Sequence, residues 1–370
     1  MAIGTSATMA RRARGRTRWA RPRAAAAVAA MLAACTLNTA VAEAQAPGQA
    51  IPKLTAPTVV KIGLTDRPLT LAGVYVAIAR GYFREANITN EFVAVGGMNA
   101  LVGPLATGEL DLATGGPGAG LFNAIERGIR LKFVADQHTA FPGKAAIALM
   151  LRKDLADSGQ VKTFADLKGR SVGITTRKAT LELALVKALR EAGLGLGDIN
   201  LVVMPFAQIN GAFGSKALDA GYQVEPLVAA AVGKNLAVRW RGLDDMWPNV
   251  QNVFLVASEK FAARPDVGRA WMVAYLRGVR DYNDAMFKRR DRDAVIQILI
   301  EFTLVKDRPT YDRIVMPGIH PDGELNVESI RDAVQALRAA GDVKTDVDLD
   351  KIIDLSLVRY AQTVLGPYGR

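Results

Sequence analysis

Short apolar runs alternate along the chain with longer segments whose apolar residues recur at helical spacing. "TVVKIGLT", from Thr58, has the pattern of a strand, and "LAGVYVAIARGYFREANI" has the spacing of a helix with a stop at Gly81. The pattern continues with the strands "TNEFVAVGG", "LDLATGG" and "RLKFVAD" and the helices "MNALVGPLATGE" and "PGAGLFNAIERG". Short apolar strands that alternate with helices predict a mostly parallel sheet with helices on both faces.

A second unit of the same kind follows an interruption at "QHTAFPGK", residues 137–144. "TFADLKGRSVGITT" predicts a short helix that ends at Lys168-Gly169, and then a strand. "ATLELALVKALREAGL" predicts an amphipathic helix, followed by the strand "NLVVMPF", a helix around residues 207–216 and the helix "EPLVAAAVGKN". The chain after Asn252 is largely helical in pattern. We therefore expect two α/β units and a helical C-terminal region.

The first 34 residues have the pattern of an export signal. A basic segment ends at Arg23, and "AAAAVAAMLAA" is an apolar stretch of eleven residues, too short to cross a bilayer as a helix. The only cysteine, Cys35, follows directly, and "LAAC" resembles the lipobox of bacterial lipoproteins. Cleavage after "AEA" or "AQA", at residues 44–46, is the alternative. Residues 35–57, rich in Ala, Pro and Gly, predict a flexible tether.

Most of the net charge of +11 comes from this N-terminal segment. It contains seven arginines and no lysine, aspartate or glutamate, so the rest of the chain carries only +4. A charge of that size does not indicate a polyanionic partner, and no nucleic acid is expected. With export, the chain is expected in the periplasm or at the cell-envelope surface, and possession of a single cysteine gives it no internal disulfide.

The stretch "DLATGGPGAGLFNAIERG", residues 111–128, raises the question of a nucleotide enzyme. Asp136 lies about 20 residues after Gly116, where a dinucleotide fold keeps its ribose-binding acid. However, the G-x-G-x-x-G fingerprint started at Gly116 meets Leu121, and a Walker lysine is missing. With two histidines far apart in the sequence and one cysteine, neither a metal site nor a catalytic nucleophile is indicated. We therefore expect that the protein is not an enzyme and uses no cofactor. Two alternatives stay open: a redox enzyme that uses the Gly-rich turn, and a tight turn that binds no ligand.

Four loops that follow predicted strands carry most of the small and polar residues. They are residues 65–70, 96–99, 115–118 and 175–180. In an open parallel sheet, ligands bind off the carboxyl ends of the strands, where helix N-termini present free N–H groups. Two such edges that face each other would form a cleft for a small oxyanion.

Several of these motifs resemble one protein family. "VVKIGLTDRPLTLAGVYVAIARGYF", "LATGELDLATGGPGAGLFNAIERGIRLKFVAD", "TFADLKGRSVGI" and "LDAGYQVEPLVAAAV" are similar to the nitrate/sulfonate/taurine-type solute-binding proteins of ABC importers, which include binders of thiamine-pyrimidine precursors. The resemblance implies a two-lobed periplasmic-binding-protein fold of type II. Lobe 1 would comprise residues 57–141 and 251–370, and lobe 2 residues 142–250. It also implies a monomer that delivers a small-molecule anion to an ABC permease in the inner membrane.

The resemblance also assigns a set of cleft residues. The pyrimidine-binding branch has Asp-Trp and Pro-Asn followed by His, Gly and Tyr; this chain keeps Asp66, Pro68, Gly73 and Tyr75 but has Arg67 in place of the tryptophan. An arginine there favours a carboxylate or sulfonate over a flat ring. The expected substrate-binding residues are Asp66, Arg67, Thr70, Gly97, Met98, Asn99, Gly116, Pro117, Gly118, His138, Thr175, Thr176, Thr180 and Glu225.

Alternatives stay open for several of them. Thr176 and Thr180 would cap the helix of the second lobe, with Thr180 as an N-cap candidate. Glu225 would meet a ligand amine or cap a helix, and His138 would pack in the hinge or contact the ligand. A thiamine-pyrimidine precursor and an aromatic carboxylate are the rival ligands, and a sensing partner of a membrane receptor is the rival role.

Overall fold

The computed structural model of the chain describes residues 50–64, 67–95 and 98–369. The expected export signal, Cys35 and the cleavage sites lie outside these residues. Part of the predicted tether is described: Ile51 is buried in the core beside the first sheet, and the N–H of Leu54 donates to the carbonyl of Ala86. Residues 51–54 therefore pack on the folded chain. Within the described ranges, no helix combines the length and apolarity that a membrane span needs.

The described ranges contain ten strands. They are β1 Thr58–Leu64, β2 Ile88–Ala94, β3 Leu112–Gly115, β4 Leu131–Thr139, β5 Ile147–Arg152, β6 Ser171–Ile174, β7 Asn200–Val203, β8 Ala220–Val224, β9 Ala237–Gly242 and β10 Gln251–Ser258.

The helices of the described ranges surround these strands. They are α1 Ala72–Ala79, α2 Tyr82–Glu85, α3 Val102–Ala106, α4 Ala119–Glu126, α5 Lys153–Asp157, α6 Thr180–Glu191, α7 Phe206–Gly214, α8 Leu227–Gly233, α9 Leu243–Met246, α10 Glu259–Ala262, α11 Pro265–Lys288, α12 Arg292–Phe302, α13 Val327–Ala339, α14 Leu349–Ile352 and α15 Ser356–Leu365. Short 3-10 helices lie at Leu69–Leu71, Met98–Leu101, Phe164–Leu167, Leu196–Asp198 and Arg308–Asp312.

The strands form two five-stranded sheets. The first has the order β2-β1-β3-β10-β4, and the second has the order β7-β6-β8-β5-β9. In the first sheet β10 runs opposite to the other four strands, and in the second β5 does so. The predicted α/β class, with two mostly parallel sheets flanked by helices, is confirmed.

The antiparallel strand in each sheet fixes which residues share an edge. The carboxyl ends of β1, β2, β3 and β4 meet at one edge of the first sheet, together with the amino end of β10. The carboxyl ends of β6, β7, β8 and β9 meet at one edge of the second sheet, beside the start of β5. The strand that precedes each loop singled out by the sequence therefore ends at one of these two edges.

Local structure differs from the sequence prediction at a few places. The helix predicted from Leu71 is divided into α1 and α2 at Gly81, whose φ of 80° confirms it as a stop. The helix predicted from Met98 begins as a 3-10 helix and becomes α3. The strand predicted to end at Asp136 continues to Thr139, because β10 pairs with these last residues from far along the chain.

The long helix α11 forms the centre of the core behind the first sheet. It packs against α1 and α15 and buries Trp271, Tyr275 and Tyr282 completely. Its Gly278 faces α1 so closely that a Cβ there would overlap the backbone oxygen of Gly73. Gly73, one of the residues kept from the pyrimidine-binding pattern, thus serves helix packing in this fold.

Candidate functional site

The edges of the two sheets touch at the Gly-rich turn. Gly118, before α4, and Ala179, before α6, form an isolated antiparallel bridge. The N–H of Ala119 donates to the carbonyl of Lys178 at 2.9 Å, and the hydroxyl of Thr180 donates to the carbonyl of Pro117 at 3.3 Å. We call this the inter-sheet contact. It brings together three residues predicted as binding residues, namely Pro117, Gly118 and Thr180.

The Gly-rich turn is shaped by close backbone approach. A Cβ at Gly116 would lie 2.5 Å from the carbonyl oxygen of Asn252, so this position has no room for a side chain. Gly118 is the N-cap of α4 in an extended conformation. The N–H of Ala119, which the sequence suggested for an anion, donates here to the second sheet's edge. A ligand that used this N–H would have to replace that carbonyl.

The threonines at the start of α6 do not act as N-caps. The N-cap of α6 is Ala179, without a side-chain bond, so the prediction that Thr180 caps this helix was wrong. Thr180 is the first helical residue, and its buried hydroxyl reaches the other sheet's edge instead of its own backbone. Thr175 and Thr176 are half-buried between β6 and α6. They lie at the predicted edge, and their role as ligand contacts stays a prediction.

An ion pair lies beside the inter-sheet contact. The ammonium of Lys178 is 2.5 Å from the carboxylate of Asp342, which follows α13. Lys178 has a left-handed backbone, with φ of 58°, and its side chain is about half exposed. Arg177 pairs with the buried carboxylate of Glu182 in the first turn of α6. The approach to the inter-sheet contact is therefore lined by paired charges.

Glu225 joins the second sheet to the C-terminal region. Its carboxylate accepts from the N–H of Ala229, in the first turn of α8, at 3.1 Å and from the N–H of Val315 at 3.2 Å. Burial raises the pKa of Glu225, and these N–H groups and Arg239 act against the rise. The geometry matches the helix-capping alternative, while contact with a ligand amine stays a prediction.

Arg239 is a residue of this edge that the sequence analysis missed. Its Nη2 donates to the carbonyl of Ala145 at 2.7 Å, and its Nη1 lies 3.9 Å from Glu225. That Nη1 atom is buried and makes no hydrogen bond with the described residues. In "AVRWRG" it looks like an ordinary outward-facing strand residue. Only the pairing of β9 with β5 places it near the edge.

Fully buried polar side chains occupy the end of β4. Asp136 accepts from the side chains of Gln251 and Thr139 and from the N–H of His320. Burial raises its pKa to about 7. Since its carboxylate is enclosed by these donors, Asp136 is not placed to bind the ribose of a dinucleotide. The remaining support for a nucleotide loop is therefore lost.

His138 lies next to this network, without exposed surface. Its Nδ1 is 3.3 Å from the side-chain nitrogen of Asn252, and its Nε2 has no partner among the described residues. Burial lowers its pKa to about 4, against a smaller rise caused by the nearby backbone of Lys144, so the imidazole is neutral at neutral pH. Asn252, which the sequence analysis did not single out, thus connects His138 to the Gly-rich turn.

The first loop is described only in part. Arg67 is exposed, with its guanidinium carbon 6.0 Å from the centroid of the Phe92 ring, and no carboxylate of the described residues pairs with it. Thr70 is buried in the 3-10 helix Leu69–Leu71. Tyr75, also buried, stacks on Phe302, and its hydroxyl has no partner in the described ranges. This corner combines a cation with aromatic rings.

The remaining predicted residues of the first sheet's edge lie outside the described ranges or at their border. Asp66 and Gly97 lie outside the described residues, and Met98 and Asn99 begin the 3-10 helix Met98–Leu101. In the described part of the chain, His, Cys, Asp and Glu side chains form no group of three or more that could hold a metal ion.

Comparison with known proteins identifies the family to which the chain belongs. A family model described as NMT1/THI5 like matches residues 69–285. Curated proteins of Brucella abortus, named only as binding proteins, are 27% identical over 185 residues, which is 49% of this chain and 53% of theirs. The riboflavin-binding protein RibY of Chloroflexus aurantiacus is 25% identical over 264 residues, 68% of this chain and 70% of RibY. The chain thus spans about half the length of the first of these relatives.

Solved structures share the fold. The periplasmic aliphatic sulphonate-binding protein SsuA of Escherichia coli has a TM-score of 0.63 and 21% identity, over 80% of this chain and 92% of SsuA. The periplasmic nitrate-binding protein NrtA of Synechocystis PCC 6803 has a TM-score of 0.65 and 15% identity, over 84% of this chain and 89% of NrtA. The predicted resemblance and the predicted fold are both confirmed.

Proposed function

Because the chain belongs to the NMT1/THI5-like family, we propose that it is the solute-binding component of an ABC importer. It would hold one small organic anion between the edges of its two sheets. The observation that carries the proposal is the inter-sheet contact, in which the turn before α4 meets the start of α6. Ligands of open α/β sheets bind at such edges, and SsuA and NrtA, which share the fold, are named as sulphonate-binding and nitrate-binding proteins.

The cations of the two edges support an anionic ligand. Arg67, at the first edge, has no carboxylate partner among the described residues, and Arg239, at the second edge, has an Nη1 without a hydrogen bond. A buried guanidinium nitrogen without a partner is unfavourable, so an anion that reached it would bind through a charge-assisted hydrogen bond. A sulfonate or carboxylate of the solute is the group we assign to these arginines.

The mechanism follows from the two lobes. We propose lobe 1 as residues 57–141 with 251–370 and lobe 2 as residues 142–250, because each set of strands forms its own sheet. The open protein would capture the solute and close about the two places where the chain passes between the lobes, at residues 141–142 and 250–251. The closed form would be recognised by the permease. We propose a monomer outside the cytoplasm, either freely soluble or anchored through Cys35, that makes and breaks no bond of its solute.

A larger heteroaromatic anion is the second candidate. RibY, whose name states that it binds riboflavin, matches 68% of this chain. In this chain Tyr75 lies between Phe92 and Phe302, with ring centroids at 5.9 and 5.3 Å, beside the exposed Arg67. Tyr75 is completely buried, so the half-buried Phe92 beside Arg67 is the ring of this corner that would stack on a heteroaromatic solute.

A ligand panel tests the proposal. The thermal midpoint of the purified protein is measured with ethanesulfonate, taurine, nitrate, benzoate, the thiamine pyrimidine, riboflavin and NADH. A ligand at 100 times its Kd stabilises the folded state by about 2.7 kcal/mol, which raises the midpoint by a few degrees. The variants Arg67→Gln and Arg239→Gln should reduce the shift that an anion causes.

Arg241→Gln is the matched control, because this arginine of the same strand as Arg239 stacks on Trp240, 4.9 Å from the ring centroid. It should leave the shift unchanged. A shift with NADH and with no anion would contradict the proposal, and so would an anion shift that all three variants retain in full.

A further inference from the structure

Gln137 and His138 carry polar atoms for which the described part of the chain offers no hydrogen-bond partner. Both side chains are completely buried. The atoms without a partner are Oε1 and Nε2 of Gln137 and Nε2 of His138. Native proteins rarely leave buried polar groups unpaired, because the lost hydration is not replaced. Two consecutive residues with this property therefore need an explanation.

Their position in the fold suggests one. Both lie within two residues of Thr139, the carboxyl end of β4, at the edge that carries the Gly-rich turn. His138 contacts Asn252, whose carbonyl lies against Gly116 of that turn. The same turn makes the inter-sheet contact two residues later. His138 is thus linked through Asn252 to the turn that makes the inter-sheet contact.

The strand pairing is irregular at the same point. The register between β4 and β10 shifts between Gln251 and Val253 and again between Val253 and Phe254, opposite residues 136–139. A bulged ladder breaks the strict alternation of side chains and redirects them, and such bulges are frequent next to binding sites. Gln137 and His138 therefore need not point to opposite faces, as they would in a regular strand.

We propose that Gln137 and His138 form a neutral hydrogen-bonding subsite that binds an uncharged amide-type group of the solute, such as a carboxamide, a lactam or a ureide. This inference rests on the proposed function, since it requires a solute between the sheets. It adds a second recognition element, separate from the arginines that would bind the anionic group.

The chemistry of the two side chains fits this class of ligand. The Gln137 amide offers both a donor and an acceptor. The side-chain nitrogen of Asn252 can only donate, so Nδ1 of His138 accepts, and the proton of the neutral imidazole is on Nε2. An amide group of the solute can accept from both Nε2 atoms and donate to Oε1 of Gln137. A second charged group would lose its hydration here without a counter-charge.

A buried water molecule is the competing explanation, and the variant Gln137→Leu distinguishes the two. Leucine removes both unpaired atoms and adds about one methylene group of volume, a change that the control Gln223→Leu shares. If a ligand normally pairs them, Gln137→Leu should leave the thermal midpoint of the ligand-free protein unchanged or higher. If an internal water pairs them, the variant should lower the midpoint, because the water's other partners lose a bond.

Gln223→Leu is the matched control for stability. Gln223 is equally buried, but its amide donates to the carbonyl of Phe206 and to Asn210, and it accepts from the N–H of Val224. Its replacement leaves these groups unpaired, so this variant should lower the midpoint.

Binding is measured by calorimetry on the protein purified from cells that express the full chain. The probes are benzoate and 4-carbamoylbenzoate, which differ by one carboxamide, and orotate, an anion with a ureide. The wild type should bind 4-carbamoylbenzoate or orotate at least about tenfold more tightly than benzoate, as expected for a desolvated hydrogen-bonding site. Gln137→Leu and His138→Asn should each reduce this preference by about tenfold.

Each other outcome has a distinct meaning. If the wild type binds benzoate, taurine or an alkanesulfonate but shows no preference for the amide-bearing probes, the subsite is refuted and the proposed function stands. If it binds no anion of either panel, both are refuted. If Gln137→Leu keeps the preference and is destabilised as much as Gln223→Leu, the amide of Gln137 is a structural element and the subsite is refuted.

Discussion

The buried imidazole of His138 makes the stability of the fold depend on pH. Burial lowers its pKa from 6.5 to about 4. In the unfolded chain the same side chain takes up a proton near pH 6.5, so the unfolded state gains free energy first as the pH falls. The contribution of His138 is therefore complete above pH 6.5 and is lost between pH 6.5 and 4.

The size of this effect follows from the shift. At about 1.4 kcal/mol for each pKa unit, the free energy of unfolding should fall by about 2 kcal/mol between pH 8 and pH 5, and by about 3 kcal/mol at pH 4. The comparison protein is His138→Asn, because asparagine keeps an acceptor for the side chain of Asn252 and has no group that titrates in this range. Urea unfolding of both proteins is followed from pH 4 to pH 8.

Because Asp136 also titrates in this pH range, the quantity to measure is the difference in free energy of unfolding between the wild type and His138→Asn. Burial raises the pKa of its carboxyl from 3.8 to about 7, so its contribution to stability is lost as the pH rises through this range, opposite to His138. Both proteins contain Asp136, and its effect cancels in the difference. If the two free energies of unfolding run parallel from pH 8 to pH 4, then His138 is not held buried and neutral at the end of β4, and the reasoning is refuted.

Three further changes test other parts of the structure. Gly278→Ala should lower the free energy of unfolding by about 1–3 kcal/mol, because its Cβ would overlap the backbone oxygen of Gly73; urea unfolding measures this, and an unchanged midpoint would contradict the packing. Lys178→Ala should weaken solute binding by about two- to fivefold, because it removes the ion pair to Asp342, and the loss should shrink in high salt. If Lys178→Ala binds the solute as tightly as the wild type at low salt, the ion pair between Lys178 and Asp342 does not favour closure of the lobes. Tyr75→Phe should stabilise the ligand-free protein slightly or leave it unchanged, because the buried hydroxyl has no partner in the described ranges; a clear loss in thermal midpoint would refute this.

The sequence was sufficient for the class of fold and for the identity of the edges. The period of apolar residues placed six of the ten strands, β1 to β4, β6 and β7, and most helices, since local periodicity records which face is buried. The turn at Gly116 was recognisable because only glycine fits such a close approach. The family resemblance, carried by these same segments, supplied the order of the two sheets along the chain.

The sequence was less informative about what the individual side chains do. Thr180 has the residue type of an N-cap, yet its hydroxyl bonds to Pro117 of the other edge. Arg239 and Gln137 carry no sequence signal at all, because an arginine or a glutamine in a strand is ordinarily solvent-exposed. The burial of Gln137 and of the Nη1 atom of Arg239 depends on strands that meet from distant parts of the chain, β4 with β10 and β9 with β5.

The difference between what the sequence determined and what only the tertiary structure decided has one physical reason. Periodicity, glycine conformation and charge content are local properties, and they determined the two α/β units and the loops at the ends of their strands. Which polar atoms remain unpaired, and which helix starts touch, depends on contacts between residues far apart along the chain. The neutral state of His138 and the partners of Glu225 are therefore decided only when the tertiary structure excludes water from them.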